Sequence, residues 1–150
     1  MRLLCDHMLG SLARWLRFMG YDTAYPEAME DRELIAKARA EERILLTRDK
    51  QLAARFDGAV CVASDILEEQ IREVAAALPL KIVDPLSRCS LCNTPIVPAP
   101  AAAVKDLVPE GVLLRHREFW RCPTCGKVYW QGSHWDKMVE RLNHLELPRA

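Results

Sequence analysis

Along the first half of the chain, apolar positions switch back and forth between two periods. Residues 2–5 form a short apolar run that predicts a buried strand. Residues 8–19 place Leu9, Leu12, Ala13 and Leu16 at i, i+3, i+4 and i+7, one face of a helix, with Arg14 and Arg17 away from that stripe. Gly20 suits the C-terminal cap of this helix. Residues 21–25 predict a second strand, stopped by Pro26. Residues 31–42 predict a helix with Asp31 as N-cap and Leu34, Ile35 and Ala38 facing inward. Residues 43–47 are apolar enough for a strand covered on both faces. A short helix over 49–55 and a strand over 59–62 follow, and Ser64 or Asp65 caps a helix running to residue 78.

This βαβαβαβα alternation implies an α/β fold, a parallel sheet flanked by helices on both faces. In such sheets ligands bind outside the carboxyl ends of the strands. An aspartate stands near each of those ends: Asp6 after the first strand, Asp31 opening the helix after the second, Asp49 beyond the third and Asp65 beyond the fourth.

The texture changes near residues 84–87, where Pro85 disfavours helix before it. The predicted division is a domain over 1–85 and a smaller unit over 86–150. Residues 95–103 are rich in Pro and Ala and predict a loop. Residues 112–120 predict a strand able to pair with 128–130. A closing helix over 133–145 carries Trp135, Met138, Val139 and Leu142 at helical spacing, with Ser133-x-x-Asp136 resembling a capping box.

Composition narrows the class. Of 150 residues, 50% are hydrophobic and 28% charged, an ordinary globular balance that excludes wholesale disorder and collagen-like repeats. No apolar run approaches the roughly 18–20 residues of a membrane span. The first residues lack the apolar stretch and cleavage site of a signal peptide, so the expected location is cytoplasmic. The net charge is zero, which at face value argues against a nucleic-acid binder. It is a cancellation. Residues 1–85 hold 12 Lys+Arg against 15 Asp+Glu, and residues 86–150 hold 9 against 6.

Four of the six cysteines form two pairs, Cys89-x-x-Cys92 and Cys122-x-x-Cys125, separated by 29 residues. Two such pairs suit tetrahedral Zn2+, each pair supplying two thiolates from one turn. Gly126, free to take positive φ, lets backbone amides face the sulfur. Disulfides are rare in a cytosolic chain, and a thioredoxin-type pair would open a helix after a strand, which neither pair does. With every ligand position filled by cysteine the zinc is expected to be structural. Cys5 and Cys61 lie in strand segments and are expected in the core.

The aspartates suggest a second kind of metal. Hard cations such as Mg2+ or Mn2+ prefer oxygen ligands, and clustered carboxylates without a cation repel one another. Asp6, Asp31 and Asp49 are the expected Mg2+/Mn2+ ligands, with Asp65 a further catalytic candidate. Capping alone would equally account for Asp31, Asp49 or Asp65.

Three stretches look like a known family. Cys5-Asp6-His7-Met8-Leu9-Gly10-x-Leu12-Ala13-Arg14-Trp15-Leu16-Arg17-x-x-Gly20-Tyr21-Asp22-Thr23 resembles the opening of the PIN-like Mut-seven C-terminal RNase domain family. Arg43-Ile44-Leu45-Leu46-Thr47-Arg48-Asp49-Lys50 resembles its second motif. Cys122-x-x-Cys125-Gly126-Lys127-Val128-Tyr129-Trp130-x-Gly132-Ser133-His134-Trp135 resembles its appended zinc ribbon. The resemblance implies a PIN-like fold and metal-dependent cleavage of RNA phosphodiester bonds. By motif position Asp6, Asp31 and Asp49 match the family's acidic residues, and Asp65 is the candidate fourth. PIN-like proteins often pair, which leaves room for a homodimer.

An RNase must also hold a phosphate backbone. Arg14 and Arg17 follow Asp6, and Arg48 and Lys50 flank Asp49. The ribbon adds Arg115, Arg117, Arg121 and Lys127, with Trp120, Tyr129, Trp130 and His134 interleaved, a mixture suited to single-stranded nucleic acid. Three readings stay open: a metal-dependent ribonuclease whose ribbon assists RNA binding, a catalytically silent nucleic-acid-binding adaptor on the same fold, and a protein-interaction module stapled by zinc.

Overall fold

The computed structural model describes residues 1–148. Strand β1 (Arg2–Cys5) leads through one 3-10 turn (His7–Leu9) into α1 (Gly10–Phe18). Then come β2 (Asp22–Ala24), α2 (Asp31–Ala40), β3 (Ile44–Thr47), α3 (Lys50–Ala54), β4 (Ala59–Cys61) and α4 (Leu67–Ala77), in the predicted alternation. The strands form one parallel sheet in the order β2-β1-β3-β4.

Successive side chains of a strand point to opposite faces, and both faces of this sheet are covered. Leu3, Cys5 and Leu46 pack on one side with Leu12 and Leu16 of α1 and Ile71 and Val74 of α4. Leu4 and Leu45 pack on the other with Leu34, Ile35 and Ala38 of α2 and Leu52 of α3. Cys5 is fully buried, and burial pushes its thiol up to about 12, so it is an inert core residue.

The end of α1 shows why Gly20 stands there. Gly20 N donates to Arg17 O and Tyr21 N to Leu16 O, both at 3.0 Å, the paired bonds of a Schellman cap. Gly20 takes φ +105°, and a Cβ there would meet Asp84 N at 2.8 Å.

Beyond residue 85 a three-stranded antiparallel sheet, β5 (Val97–Ala99), β6 (Phe119–Arg121) and β7 (Val128–Tyr129), has the order β5-β6-β7. Helices α5 (Ala101–Val104) and α6 (Glu110–Arg115) lie between β5 and β6, and α7 (Ser133–His144) closes the fold. The four paired cysteines cluster here, consistent with a zinc ribbon. Leu142 of α7 sits in the same core as Leu12 and Leu16, and Ile82 N donates to Pro148 O at 2.9 Å. The two stretches of sequence thus share one apolar core.

Several local expectations are corrected. Residues 112–120 are not one strand: α6 takes 110–115, started by Pro109 with Val112 N donating back to Pro109 O, and only 119–121 is extended. Residues 95–103 are not a plain loop, because β5 pairs with β6. Pro98 is tolerated there since β5 is an edge strand. Glu30, not Asp31, stands at the N-cap of α2. Neither Ser64 nor Asp65 is the cap residue of α4. Ile66 is, and Ser64 Oγ accepts its N–H at 3.0 Å. Cys61 ends the edge strand β4 and is exposed rather than in the core.

Candidate active site and metal centre

In this sheet the strand order reverses between β1 and β3, and open parallel sheets bind ligands beside the carboxyl ends at such a point. Asp6 directly follows β1 there and is 5% exposed. Its backbone continues the ladder, with Asp6 N donating to Leu46 O at 3.0 Å. Its Oδ1 accepts from His7 N at 2.6 Å and lies 2.9 Å from His7 Nδ1. Its Oδ2 accepts from Thr47 Oγ1 at 2.9 Å.

Thr47 ends β3, and its Oγ1 also accepts the Asp49 N–H at 3.0 Å. Asp49 in turn caps α3, Oδ1 accepting from Gln51 N at 2.9 Å and Leu52 N at 3.2 Å. Its Oδ2 has no hydrogen-bond partner among the described residues. One hydroxyl therefore links the two aspartates at the switch point.

The other two aspartates stand differently. Asp31 opens α2 and faces Arg55 Nη1 at 3.7 Å. Asp65 lies exposed beyond β4. Among the described residues no three carboxylates converge into one cluster; the group of metal-capable side chains that does is the cysteine set. The carboxylate facing the end of β4 is Glu73, which accepts from Ala63 N and Ser64 N, both at 3.2 Å.

The cysteine set is held by two turns. Cys89 N donates to Thr94 O and Asn93 N to Cys89 O in the first, and Gly126 N to Cys122 O in the second, where Gly126 takes φ +81°. All four sulfurs lie within 4.8 Å of one another, and Cys89 Sγ to Cys125 Sγ is 3.8 Å. Tetrahedral ligands at a Zn–S distance of ~2.3 Å stand ~3.8 Å apart, so the set could hold Zn2+, whereas a disulfide needs ~2.05 Å. Cys92 is pushed up to about 12 by its hydrogen bond to Cys125, by burial and by neighbouring sulfurs. Burial also pushes Cys122 up, yet the backbone N–H groups of Cys125 and Thr124 bring it down to about 7. Thiols this crowded ionise together only when a cation offsets their charge.

The basic residues divide. Arg14, Lys127, Trp130 and His134 line one groove of about 750 Å3 between α1, the ribbon and α7. Arg17 is not on that surface. It is 6% exposed, and its guanidinium donates to Thr23 O and Ser90 O, both at 2.8 Å, fastening α1 to the first cysteine turn. Arg48 is half-buried with Nη2 donating to Ala63 O at 3.4 Å, and Lys50 is exposed beside Asp49. Arg121 Nε donates to Gly126 O at 3.1 Å and braces the second turn.

Sequence reasoning passed over Thr47, whose signal was a hydroxyl closing an apolar strand two residues before an aspartate. It read Tyr129 only as one of the ribbon's aromatics and missed its hydroxyl, which donates to Cys89 Sγ at 3.1 Å and accepts from Ser90 N at 3.1 Å. No helix among the described residues is long and apolar enough to cross a membrane.

Residues 1–142 match the family described as Mut7-C RNAse domain. The human protein named exonuclease mut-7 homolog is 34% identical, over 96% of this chain and 26% of its own length. The chain thus spans about a quarter of that relative. No solved structure matches it. A parallel sheet with a buried aspartate at its switch point and a four-cysteine ribbon agree with that match over nearly the whole chain, which belongs to the Mut7-C RNAse domain family.

Proposed function

We propose that the chain is a divalent-cation-dependent ribonuclease of PIN-like type, with its reacting centre at the β1/β3 switch point and a structural Zn2+ in the ribbon. The observation that supports this most is the Asp6–Thr47–Asp49 linkage: one hydroxyl donates to the buried Asp6 carboxylate and accepts the backbone N–H of Asp49, the residue that carries the second carboxylate. Mg2+ is commonly held through one or two carboxylates plus substrate phosphates, and Asp6 with Asp49 Oδ2 offers that donor set. Asp31 would join only by leaving Arg55, and Asp65 stands beyond the far edge strand. Mg2+ or Mn2+ would supply charge at the phosphoryl oxygens and an acidified water. The chain's own part is to hold the two carboxylates in fixed register through Thr47 and to exclude water from the inner face of Asp6. In this division residues 1–85 carry the reacting centre, and residues 86–150 hold RNA.

The test uses the zinc-loaded chain with labelled single-stranded and structured RNAs, in Mn2+, in Mg2+ and with neither. Cleavage that needs the cation and is absent in Asp6→Asn supports the reading. No product across varied RNAs overturns it. The silent RNA-binding adaptor is favoured by one observation, the failure of any three carboxylates among the described residues to come together. It predicts salt-sensitive binding with no cleavage in any cation.

A further inference from the structure

The groove between the two parts of the chain is built from two helix stripes and a sheet edge. Along α1, Ser11, Arg14, Trp15 and Phe18 line one wall, at i, i+3, i+4 and i+7. Along α7, His134, Lys137, Met138 and Arg141 line the opposite wall at the same spacing. Between them the ribbon contributes Lys127, Tyr129 and Trp130, with Arg88 from the first cysteine turn. The i, i+3, i+4, i+7 spacing explains how two short helices each aim a whole stripe into one cleft.

The chemistry of the lining is one-sided. Arg14, Arg88, Lys127, Lys137 and Arg141 line it, and among the described residues no Asp or Glu does; Arg141 is ion-paired with Glu68 of α4, which leaves Arg14, Arg88, Lys127 and Lys137 as the excess. In a chain of zero net charge this is a local excess, collected from α1, the ribbon and α7. Cations and rings are already paired face to face. Arg141 lies 4.8 Å over the Trp15 ring, and Lys127 lies 5.1 Å over Tyr129. Trp15 is buried beneath Arg141, and the half-buried rings of Tyr129 and Trp130 are the ones that stand in the groove. Flat rings beside cations match a ligand that alternates planar bases with phosphates, and an acidic peptide would leave the rings unused. Bases reach such rings only when they are unstacked from a duplex, so the fit is to a single strand. The groove also points to the right place. Its α1 wall begins at Ser11, two residues beyond the 3-10 turn that follows Asp6, and Leu67 at the start of α4 also lines it.

We propose that this groove is the binding channel for single-stranded RNA, running from the ribbon along α1 toward the carboxyl end of the sheet. The assignment rests on the reading of the chain as one that acts on RNA. It adds Arg88 and Lys137 to the nucleic-acid surface, and it leaves Arg17, Arg121 and the Glu68-paired Arg141 as structural braces.

The experiment measures binding of a fluorescent single-stranded oligouridine to the zinc-loaded chain by anisotropy, without added Mg2+ or Mn2+. Arg14→Glu and Lys137→Glu reverse exposed charges outside both cores and are expected to weaken binding about tenfold each. Each is also expected to lower the salt slope by about 0.7 per lost phosphate contact. Lys105→Glu, on the exposed end of α5 away from the groove, is the control and should bind as the unaltered chain. Unchanged affinity in both groove variants overturns the channel, as does equal binding of duplex RNA or equal displacement by polyglutamate. Cleavage is scored separately. Groove variants that lose binding while the unaltered chain cleaves nothing uphold the channel and sink the nuclease reading. Cation-dependent cleavage with full binding in the groove variants does the reverse.

Discussion

Asn93 uses both ends of its amide on the outermost strand of the parallel sheet: Nδ2 donates to Asp22 Oδ1 at 2.7 Å, and Oδ1 accepts from Thr23 N at 2.9 Å. Strand β2 is an edge, and edges present unpaired backbone groups that invite other chains. Here the first cysteine turn covers that edge, with Asn93 in the left-handed region at φ 66°. Asn93→Ala removes both bonds and leaves the Thr23 N–H unpaired in a residue that is 0% exposed. The expected cost is about 2 kcal/mol, or a melting temperature lower by about 4–8 °C, checked by thermal unfolding of the zinc-loaded chain. A melting point unchanged within a degree or so would show that the amide does not seal the edge.

The same aspartate gives the fold an acid limit. Burial alone would raise the Asp22 carboxyl, but hydrogen bonds from Arg43 and Asn93, with the charges of Arg43 and Arg88, hold it at about 2. A carboxyl depressed in the folded state stabilises fully above its unfolded value of about 4, and that stability is lost as pH falls toward 2. Unfolding followed against pH should therefore show a loss between pH 4 and 2 that is smaller in Asp22→Asn. Equal slopes for both proteins in that window would remove Asp22 from the account.

Much of this was legible in the chain, and the exceptions share a cause. Leu3, Leu4 and Leu45 announce a strand buried on both faces because nothing polar interrupts them. Asp6 stands out because it follows such a strand. Arg17 could not be read this way. Its position on one helix says that it avoids the apolar stripe, not that Ser90, 73 residues on, arrives to accept its guanidinium. Val112-Leu113-Leu114 fits either period, and Pro109 decided for a helix. Cys61 looked apolar in sequence, but only topology reveals that β4 is an edge. Of the proposed centre, the two aspartates were legible and the linking hydroxyl was not, because threonine ends many strands without function.

Tyr129 joins the groove to the cysteine centre. Its ring lines the channel and carries Lys127, while its hydroxyl donates to Cys89 Sγ. Hydrogen bonds of this kind orient a metal ligand and commonly account for 10–100-fold in metal affinity. Tyr129→Phe keeps the ring and removes the bond, so Zn2+ should bind about tenfold more weakly in competition with a chromophoric chelator. An unaltered zinc affinity would reduce the hydroxyl to a partner of Ser90 alone.

Thr47 offers the most direct test of the reacting centre. Valine has the same shape as threonine without the hydroxyl, so Thr47→Val takes a donor from Asp6 Oδ2 and an acceptor from Asp49 N while filling the same space. Both aspartates remain, but the element fixing their register is gone. Cation-dependent cleavage is expected to fall about 10–100-fold, with Mn2+ binding weakened in parallel by calorimetry. Thr47→Ser restores the hydroxyl and should recover most of both. A general loss of structure would lower the melting temperature of Val and Ser variants alike, whereas the proposed role separates them. If Thr47→Val cleaves and binds Mn2+ as the unaltered chain does, the two aspartates act without the link, and the centre is organised by something other than the Thr47 hydroxyl.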